Sequence, residues 1–127
     1  MRLLLDTHSF LWAVAQPEKL SKRAAQLILD EGNQLLLSAA SLWEIALKMQ
    51  AGKLKLPEER EFLAEQMANL GVECLPIEGD HVLALLDLPA HHRDPFDRLL
   101  IAQCRSERLP ILTADAAFGR YPVETIW

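Results

Sequence analysis

The amino-acid sequence predicts an α/β fold with a mostly parallel central sheet of four to five strands. Short apolar runs, such as residues 3–5 and 35–37, have the length and composition of strands that are buried on both faces. Stretches with the helical spacing of apolar residues separate these runs, and residues that begin or end helices stand at their boundaries. Strands that alternate with helices in this way indicate β-α-β units and hence parallel strands.

The predicted elements follow one another without a repeat or a linker. The strands are predicted at residues 3–5, 34–38, 72–77, 111–113 and 123–126, the last at the sheet edge. The helices are predicted at residues 9–15, 22–30, 41–51, 57–71, 80–86 and 96–106. We therefore expect a single domain over residues 1–127.

Capping residues justify the helix boundaries. Ser21 is expected to cap the second helix. Ser41 is expected to cap the third, with Glu44 at the spacing of a capping box. Pro57 is expected to open the fourth helix, with acidic residues in its first turns as the helix dipole favours. These acidic residues are Glu58, Glu59 and Glu61.

Composition limits the class of protein. The 127 residues are half apolar and carry a net charge of −5, which argues against a protein that holds nucleic acid by bulk positive charge. Cys74 and Cys104 have no neighbour at zinc-ligand spacing, so we expect reduced core cysteines of an intracellular protein. Asp6 and His8 interrupt the N-terminal apolar run, and no run approaches eighteen apolar residues, so we expect a cytoplasmic protein.

Four carboxylates are predicted to meet at one edge of the sheet. Asp6 directly follows the first strand and Asp115 follows the fourth, and the carboxyl ends of parallel strands lie at one edge. Glu44 and Asp97 lie in the first turns of helices at that same edge. Each one alone is expected to be a cap or a helix-dipole partner. Together they would repel one another unless a cation were bound, and oxygen ligands suit Mg²⁺ or Mn²⁺.

Nearly the whole chain resembles one known family, the PIN-domain ribonucleases, and most closely their VapC-type toxins from toxin–antitoxin operons. The resemblance rests on five segments in this order. They are LLLDTH at 3–8, SAASLWEIA at 38–46, AGKL at 51–54, HRDPFDRLLIAQ at 92–103 and LTAD at 112–115.

The resemblance implies a three-layer α/β/α domain that cleaves RNA with Mg²⁺ or Mn²⁺. It implies that Asp6, Glu44, Asp97 and Asp115 are the catalytic and metal-binding residues. Asp94 is a second acid in the DPFD segment, and Asp97 is preferred because it stands five residues before Ala102, as in the family pattern. The resemblance further implies a homodimer that a cognate antitoxin holds inactive. The expected reaction is hydrolysis of RNA by metal-activated water, which leaves 5′-phosphate and 3′-hydroxyl ends.

Other residues have expected supporting roles. Thr7, Thr113 and Ser38 are expected to orient a carboxylate or hold a water behind the metal ligands. We expect Trp12 and Trp43 to pack in the core or an interface. His8 and His92 could assist, but the mechanism does not require them. Basic residues that flank the acidic segments are candidates for phosphate contacts, namely Lys48, Lys53, Lys55, Arg93 and Arg98.

Alternative functions are weaker. A haloacid-dehalogenase phosphatase needs Asp-x-Asp after its first strand, and this chain has Asp6-Thr7-His8. A receiver domain needs a phosphorylated Asp at the end of a middle strand, and a nucleotide-binding module needs a glycine-rich phosphate loop; neither is found. The serious rival is a catalytically silent PIN-like module whose acidic pocket binds a protein partner.

Overall fold

The computed structural model describes residues 1–57, 60–91 and 93–127. In this part of the chain, five strands form one parallel sheet in the order β3-β2-β1-β4-β5, which confirms the predicted α/β class. The strands are β1 (Arg2–Leu5), β2 (Gln34–Ser38), β3 (Val72–Leu75), β4 (Ile111–Leu112) and β5 (Thr125–Ile126). The last strand lies at the sheet edge beside β4, as predicted.

Helices cover both faces of the sheet. They are α1 (Thr7–Ala15), α2 (Lys22–Leu29), α3 (Ala39–Gln50), α4 (Arg60–Leu70), α5 (Gly79–Ala84) and α6 (Pro95–Glu107). Short 3₁₀ helices lie at Pro17–Lys19, Leu85–Asp87 and Ala116–Arg120. Glu58 and Glu59, which were predicted in the first turns of the fourth helix, lie outside the described residues.

Strand pleating divides the core between the two faces. Leu4 and Ile111 point to one face, where they pack with the apolar side of α6. Leu3 and Leu5 point to the other, where they pack with α1, α2, α3 and α4. Because successive side chains alternate along a strand, every central strand needs apolar residues at each position. The outcome is the three-layer α/β/α arrangement.

The strand order creates a crevice at one edge of the sheet. β1 lies between β2 and β4, so the chain crosses over in opposite directions on its two sides. Ligands in open parallel sheets bind at such a switch point, beyond the carboxyl ends of the strands. The crevice here lies between the ends of β1 and β4.

The predicted start of α3 is wrong. Ser38, at the end of β2, caps this helix by accepting a hydrogen bond from the Ala40 amide at 3.0 Å. Ser41 therefore lies inside the helix, and Glu44 is further from the helix start than a capping box requires. Ser41 Oγ instead accepts a hydrogen bond from Thr7 Oγ1 at 2.9 Å, which joins α1 to α3.

Two expectations about burial are also wrong. Cys74 is exposed, while Cys104 is buried and burial raises the pKa of its thiol to about 12. Residues 42–47 are apolar apart from Glu44, a composition that predicts a mostly buried helix, yet Trp43 is 58% exposed and Leu47 is 43% exposed. Trp43 contacts the ring of Phe96 edge-on at a centroid distance of 5.0 Å, so it lies at the surface between α3 and α6.

No helix of the described residues is long and apolar enough to cross a membrane.

Candidate active site

Asp6 stands at the crevice, directly after β1. Its side chain is 4% exposed and each carboxylate oxygen accepts a hydrogen bond. Oδ1 accepts from the Ser9 amide at 2.7 Å, which caps α1, and Oδ2 accepts from Thr113 Oγ1 at 2.6 Å. The capping role and the predicted site role therefore coexist in one side chain.

Thr113 joins the ends of the two central strands. Its hydroxyl donates to Asp6 and accepts from the Asp115 amide at 3.0 Å. A buried hydroxyl with both of these partners fixes where the chain after β4 passes the end of β1. Thr113 thus holds the Asp6 carboxylate directly.

Glu44 is a buried carboxylate on α3. It is 6% exposed, and its Oε2 accepts from Lys48 Nζ at 2.8 Å, one helical turn later. Its Oε1 is fully buried and has no hydrogen-bond partner among the described residues. A buried, unsatisfied carboxylate oxygen is costly in free energy unless a cation or a donor meets it.

Asp97 lies in the first turn of α6 and is half-buried. Burial and nearby carboxylates raise the pKa of its side chain from 3.8 to about 7. After burial, the charges responsible are those of Asp94, Glu44, Asp6 and Asp115, in decreasing order. The structure therefore brings Asp6, Glu44 and Asp115 close enough to Asp97 to affect its pKa, and Asp94 does so as well.

Asp94 also begins α6. Its Oδ1 accepts from the amides of Phe96 at 2.9 Å and Asp97 at 3.3 Å, which makes it the N-cap. Its charge contributes more to the raised pKa of Asp97 than that of any other carboxylate. Asp94 thus orients the helix turn that carries Asp97.

Asp115 is exposed at the rim of the crevice. Its Oδ1 accepts from the Ala117 amide at 2.9 Å and caps the 3₁₀ helix at Ala116–Arg120. The capping role considered from the sequence is therefore present, alongside its contribution to the charge around Asp97. Its exposure distinguishes it from the buried Asp6 and Glu44.

Of the remaining supporting candidates, Thr7 is buried and donates a hydrogen bond to Ser41. This bond joins α1, which Asp6 caps, to α3, which carries Glu44. Ser38 donates to Gln103 Oε1 at 2.5 Å and caps α3. Gln103 Nε2 in turn donates to the Pro76 carbonyl at 3.1 Å. Ser38 therefore joins α3, α6 and the segment after β3.

The basic candidates differ in their contacts. Lys48 pairs with Glu44, and Lys53 is exposed. Arg98 donates to the carbonyls of Pro89 at 2.9 Å and Leu85 at 3.5 Å, so it braces the segment before α6. Arg93 is exposed, and His92 lies outside the described residues.

Sequence reasoning did not single out Ser9. Its amide donates to Asp6 Oδ1, and its hydroxyl donates to the Leu112 carbonyl at 3.0 Å. Ser9 therefore links α1 to β4. The Asp-x-x-Ser spacing that places the Ser9 amide within reach of Asp6 is a readable capping signal. The ion pair between Glu44 and Lys48 has a readable signal too, the i,i+4 spacing.

The donors at the crevice fit a divalent cation of the Mg²⁺ type. All are carboxylate oxygens, which hard cations prefer, and Glu44 Oε1 is unsatisfied. Among the described residues, no group of three or more acidic, His or Cys side chains is arranged to hold a metal ion. The carboxylates affect the pKa of Asp97 through charge, which acts over longer distances than a coordination bond of about 2 Å. They would therefore have to move closer together to bind a metal ion.

Comparisons with known proteins find similar sequences and folds. The family model described as PIN domain matches residues 3–124. Two curated relatives come from Mycobacterium tuberculosis. "Ribonuclease VapC22" is 28% identical over 130 residues, covering 98% of each chain. "Ribonuclease VapC16" is 38% identical over 56 residues, which cover 43% of this chain and 40% of that protein.

Solved structures share the fold. VapBC2 from Rickettsia felis, bound to a promoter DNA fragment, contains a chain with a TM-score of 0.74 and 15% identity; the match covers 99% of this chain and 98% of that one. DNA-bound VapBC from Salmonella typhimurium gives a TM-score of 0.74 at 16% identity, over 99% of this chain and 97% of that one.

Proposed function

Because the chain belongs to the PIN-domain family, we propose that it is a metal-dependent endoribonuclease and the toxin of a toxin–antitoxin pair, acting in the cytoplasm. The observation that carries the proposal is the gathering of carboxylates at the crevice: Asp6 and Glu44 are buried there, and Glu44 Oε1 has no hydrogen-bond partner among the described residues. Burial and four neighbouring carboxylates also raise the pKa of Asp97 to about 7. Carboxyl groups crowded to this degree are typical of functional sites, and here they are oxygen donors on a crevice at a switch point.

In this proposal Asp6, Glu44, Asp97 and Asp115 hold Mg²⁺ or Mn²⁺. The ion would supply an activated water for hydrolysis of an RNA phosphodiester and would neutralise charge on the leaving oxygen. Such hydrolysis leaves 5′-phosphate and 3′-hydroxyl ends.

The chain's own residues prepare this site. Thr113 holds Oδ2 of Asp6, and the Ser9 amide holds Oδ1, so the buried carboxylate has one orientation. Lys48 balances the charge of Glu44 while leaving Oε1 available. Asp97 releases its proton close to neutral pH, so its affinity for a cation rises across that range.

The partners proposed are an RNA substrate, a cognate antitoxin and a second copy of this chain. The names of the relatives, ribonuclease VapC and VapBC complexes, support the first two. The exposed apolar side chains of Val82, Leu83 and Leu86 offer a surface that a second copy could cover. Light scattering on the purified protein measures whether this dimer forms.

The test is cleavage by matched variants. Asp97→Asn removes one ligand charge with little change in shape, and we expect RNA cleavage in Mg²⁺ to fall by roughly a hundredfold or more. Asp87→Asn changes an exposed carboxylate on the 3₁₀ helix at Leu85–Asp87 and is the control. Sequencing of 5′-phosphate RNA ends from cells that express each variant reports activity and target together.

Equal rates for Asp97→Asn and the unmodified protein would contradict the proposal. So would the absence of cleavage by the unmodified protein together with no binding of Mg²⁺ or Mn²⁺ at millimolar concentrations. That second result is what a silent, protein-binding module would give.

A further inference from the structure

A groove rich in lysine lies between α1 and the segment that follows α3. We call it the lysine groove; it has a volume of about 560 Å³, and His8, Leu11, Trp12, Lys48, Lys53 and Lys55 are among its lining residues. This volume falls within the range of ligand-binding clefts. The sequence names its lysines individually as candidates for phosphate contacts, but the proposed function gives no role to this groove as a whole.

The lysine groove begins beside the carboxylates. Lys48 lines it and also pairs with Glu44 at 2.8 Å. On the opposite wall, His8 is the second residue of α1, the helix that Asp6 caps. A chain lying in the groove therefore leads directly to the acidic crevice.

The charge of the groove is opposite to that of the protein. The chain has 18 acidic and 13 basic residues, yet none of the described residues that line the groove is acidic, and three are lysines. Lys53 and Lys55 are exposed, so their ammonium groups can meet a ligand. A local cluster of positive charge on an acidic protein attracts a polyanion.

The other lining residues are apolar. Leu54 and Leu56 alternate with Lys53 and Lys55 along the chain, and all four line the groove. Trp12 and Leu11 form the facing wall on α1. Alternating ammonium and apolar groups match a strand whose phosphates alternate with exposed bases, whereas the bases of a duplex are stacked inside.

We propose that the lysine groove binds the single-stranded segment of the RNA substrate next to the scissile phosphate, with Lys53 and Lys55 on its phosphates and the apolar wall against its bases. This proposal rests on the proposed ribonuclease function. Within it, Lys48 stands at the junction between the groove and the acids.

The test is binding of a short, unstructured, fluorescent RNA oligonucleotide in EDTA, so that cleavage does not consume the probe. The groove variant is Lys53→Ala/Lys55→Ala. The control variant, Arg2→Ala/Arg105→Ala, removes the same charge at the opposite end of the sheet, where β1 begins and α6 approaches its end. Melting temperatures confirm that both variants fold.

The groove variant should bind RNA more weakly at every sequence tested. Its plot of log affinity against log salt should be shallower by about 1.4, because each phosphate of a single strand that no longer meets a lysine lowers the slope by about 0.7. The control variant should keep the slope of the unmodified protein. Polyglutamate should compete poorly with the oligonucleotide, because it offers charge without bases.

An unchanged salt slope in the groove variant would overturn the proposal and leave the ribonuclease function standing. Competition by polyglutamate equal to that of RNA would also overturn it, and would assign the groove to an acidic protein segment. The proposed function fails by a different result, namely cleavage that Asp97→Asn leaves unchanged.

Discussion

Asp97 is the carboxyl group whose pKa the fold raises most clearly. The folded protein keeps its proton up to a pH of about 7, while the unfolded chain releases it near 3.8. The contribution of this group to stability is therefore fully present below about pH 3.8 and is lost as the pH rises through about 7. The metal-free site thus opposes folding most strongly under alkaline conditions.

We expect Asp97→Asn to stabilise the metal-free protein at pH 8, because the amide removes a buried charge from among like charges. The unmodified protein should lose stability between pH 5 and pH 8, and the variant should lose clearly less. Melting temperatures in EDTA across this range measure the effect, with Asp87→Asn as the control. Parallel pH profiles for Asp97→Asn and the unmodified protein would contradict the shifted pKa.

Substitutions of Thr113 test how much Asp6 depends on the hydrogen bond that this hydroxyl donates. Thr113→Val keeps the shape but removes the hydroxyl that donates to Asp6 Oδ2, and we expect the free energy of unfolding to fall by about 1–3 kcal/mol. Metal affinity should fall by roughly ten- to a hundredfold. Thr113→Ser retains the donor and should recover most of both. A Val variant with unchanged metal affinity would remove Thr113 from the supporting residues.

At the scale of elements, helix starts separate what the sequence could predict from what it could not. Ser21 was correctly expected to cap α2, because one capping residue precedes that helix. Before α3 there are two serines, and both give plausible caps by local rules. Ser38 is the residue that caps α3, and its hydroxyl also donates to Gln103, 65 positions away. This tertiary contact favours Ser38, and no local sequence pattern contains it.

Ser38→Ala should therefore cost more than the loss of a cap. The cap is worth about 1 kcal/mol, and the buried Gln103 Oε1 loses its donor, which adds about 1–3 kcal/mol. Urea unfolding measures the change, and Ser106→Ala, at an exposed serine of α6, is the control. A cost for Ser38→Ala no larger than that of the control would show that neither bond stabilises the fold.

Burial of α3 shows a second limit of the sequence. Its residues are apolar on several faces, so their pattern does not indicate which face is covered. Ile45 is fully buried while Trp43 is 58% exposed, because only one side of the helix meets the sheet. The lysine groove escaped prediction for a related reason, since it depends on where the segment after α3 passes α1.

Across the whole molecule, the acids could be predicted because the fold brings them together by simple rules. Asp6 follows β1 and Asp115 follows β4, and parallel neighbours place these positions at one edge. Glu44 and Asp97 could be placed at that edge because they lie in the first turns of helices, but a helix position does not specify the direction of a side chain, and the family resemblance added the role that the position alone leaves open. Whether the chain forms a single domain over all 127 residues stays a prediction.

The concentration of like charge at one edge should make the stability of the whole fold depend on divalent cations. An ion that binds the folded state at a hundred times its dissociation constant adds about 2.7 kcal/mol, which raises the melting temperature of a domain of this size by roughly 10 °C. Mg²⁺ or Mn²⁺ should produce this rise in the unmodified protein, and Asp97→Asn should lose most of it, because one of the carboxylates that would hold the ion is gone. KCl at matched ionic strength is the control, since it screens charge without closing the carboxylates on an ion. If KCl raised the melting temperature as much as Mg²⁺ does, the crowded acids would be stabilised by screening alone, and the case for a bound metal would fail.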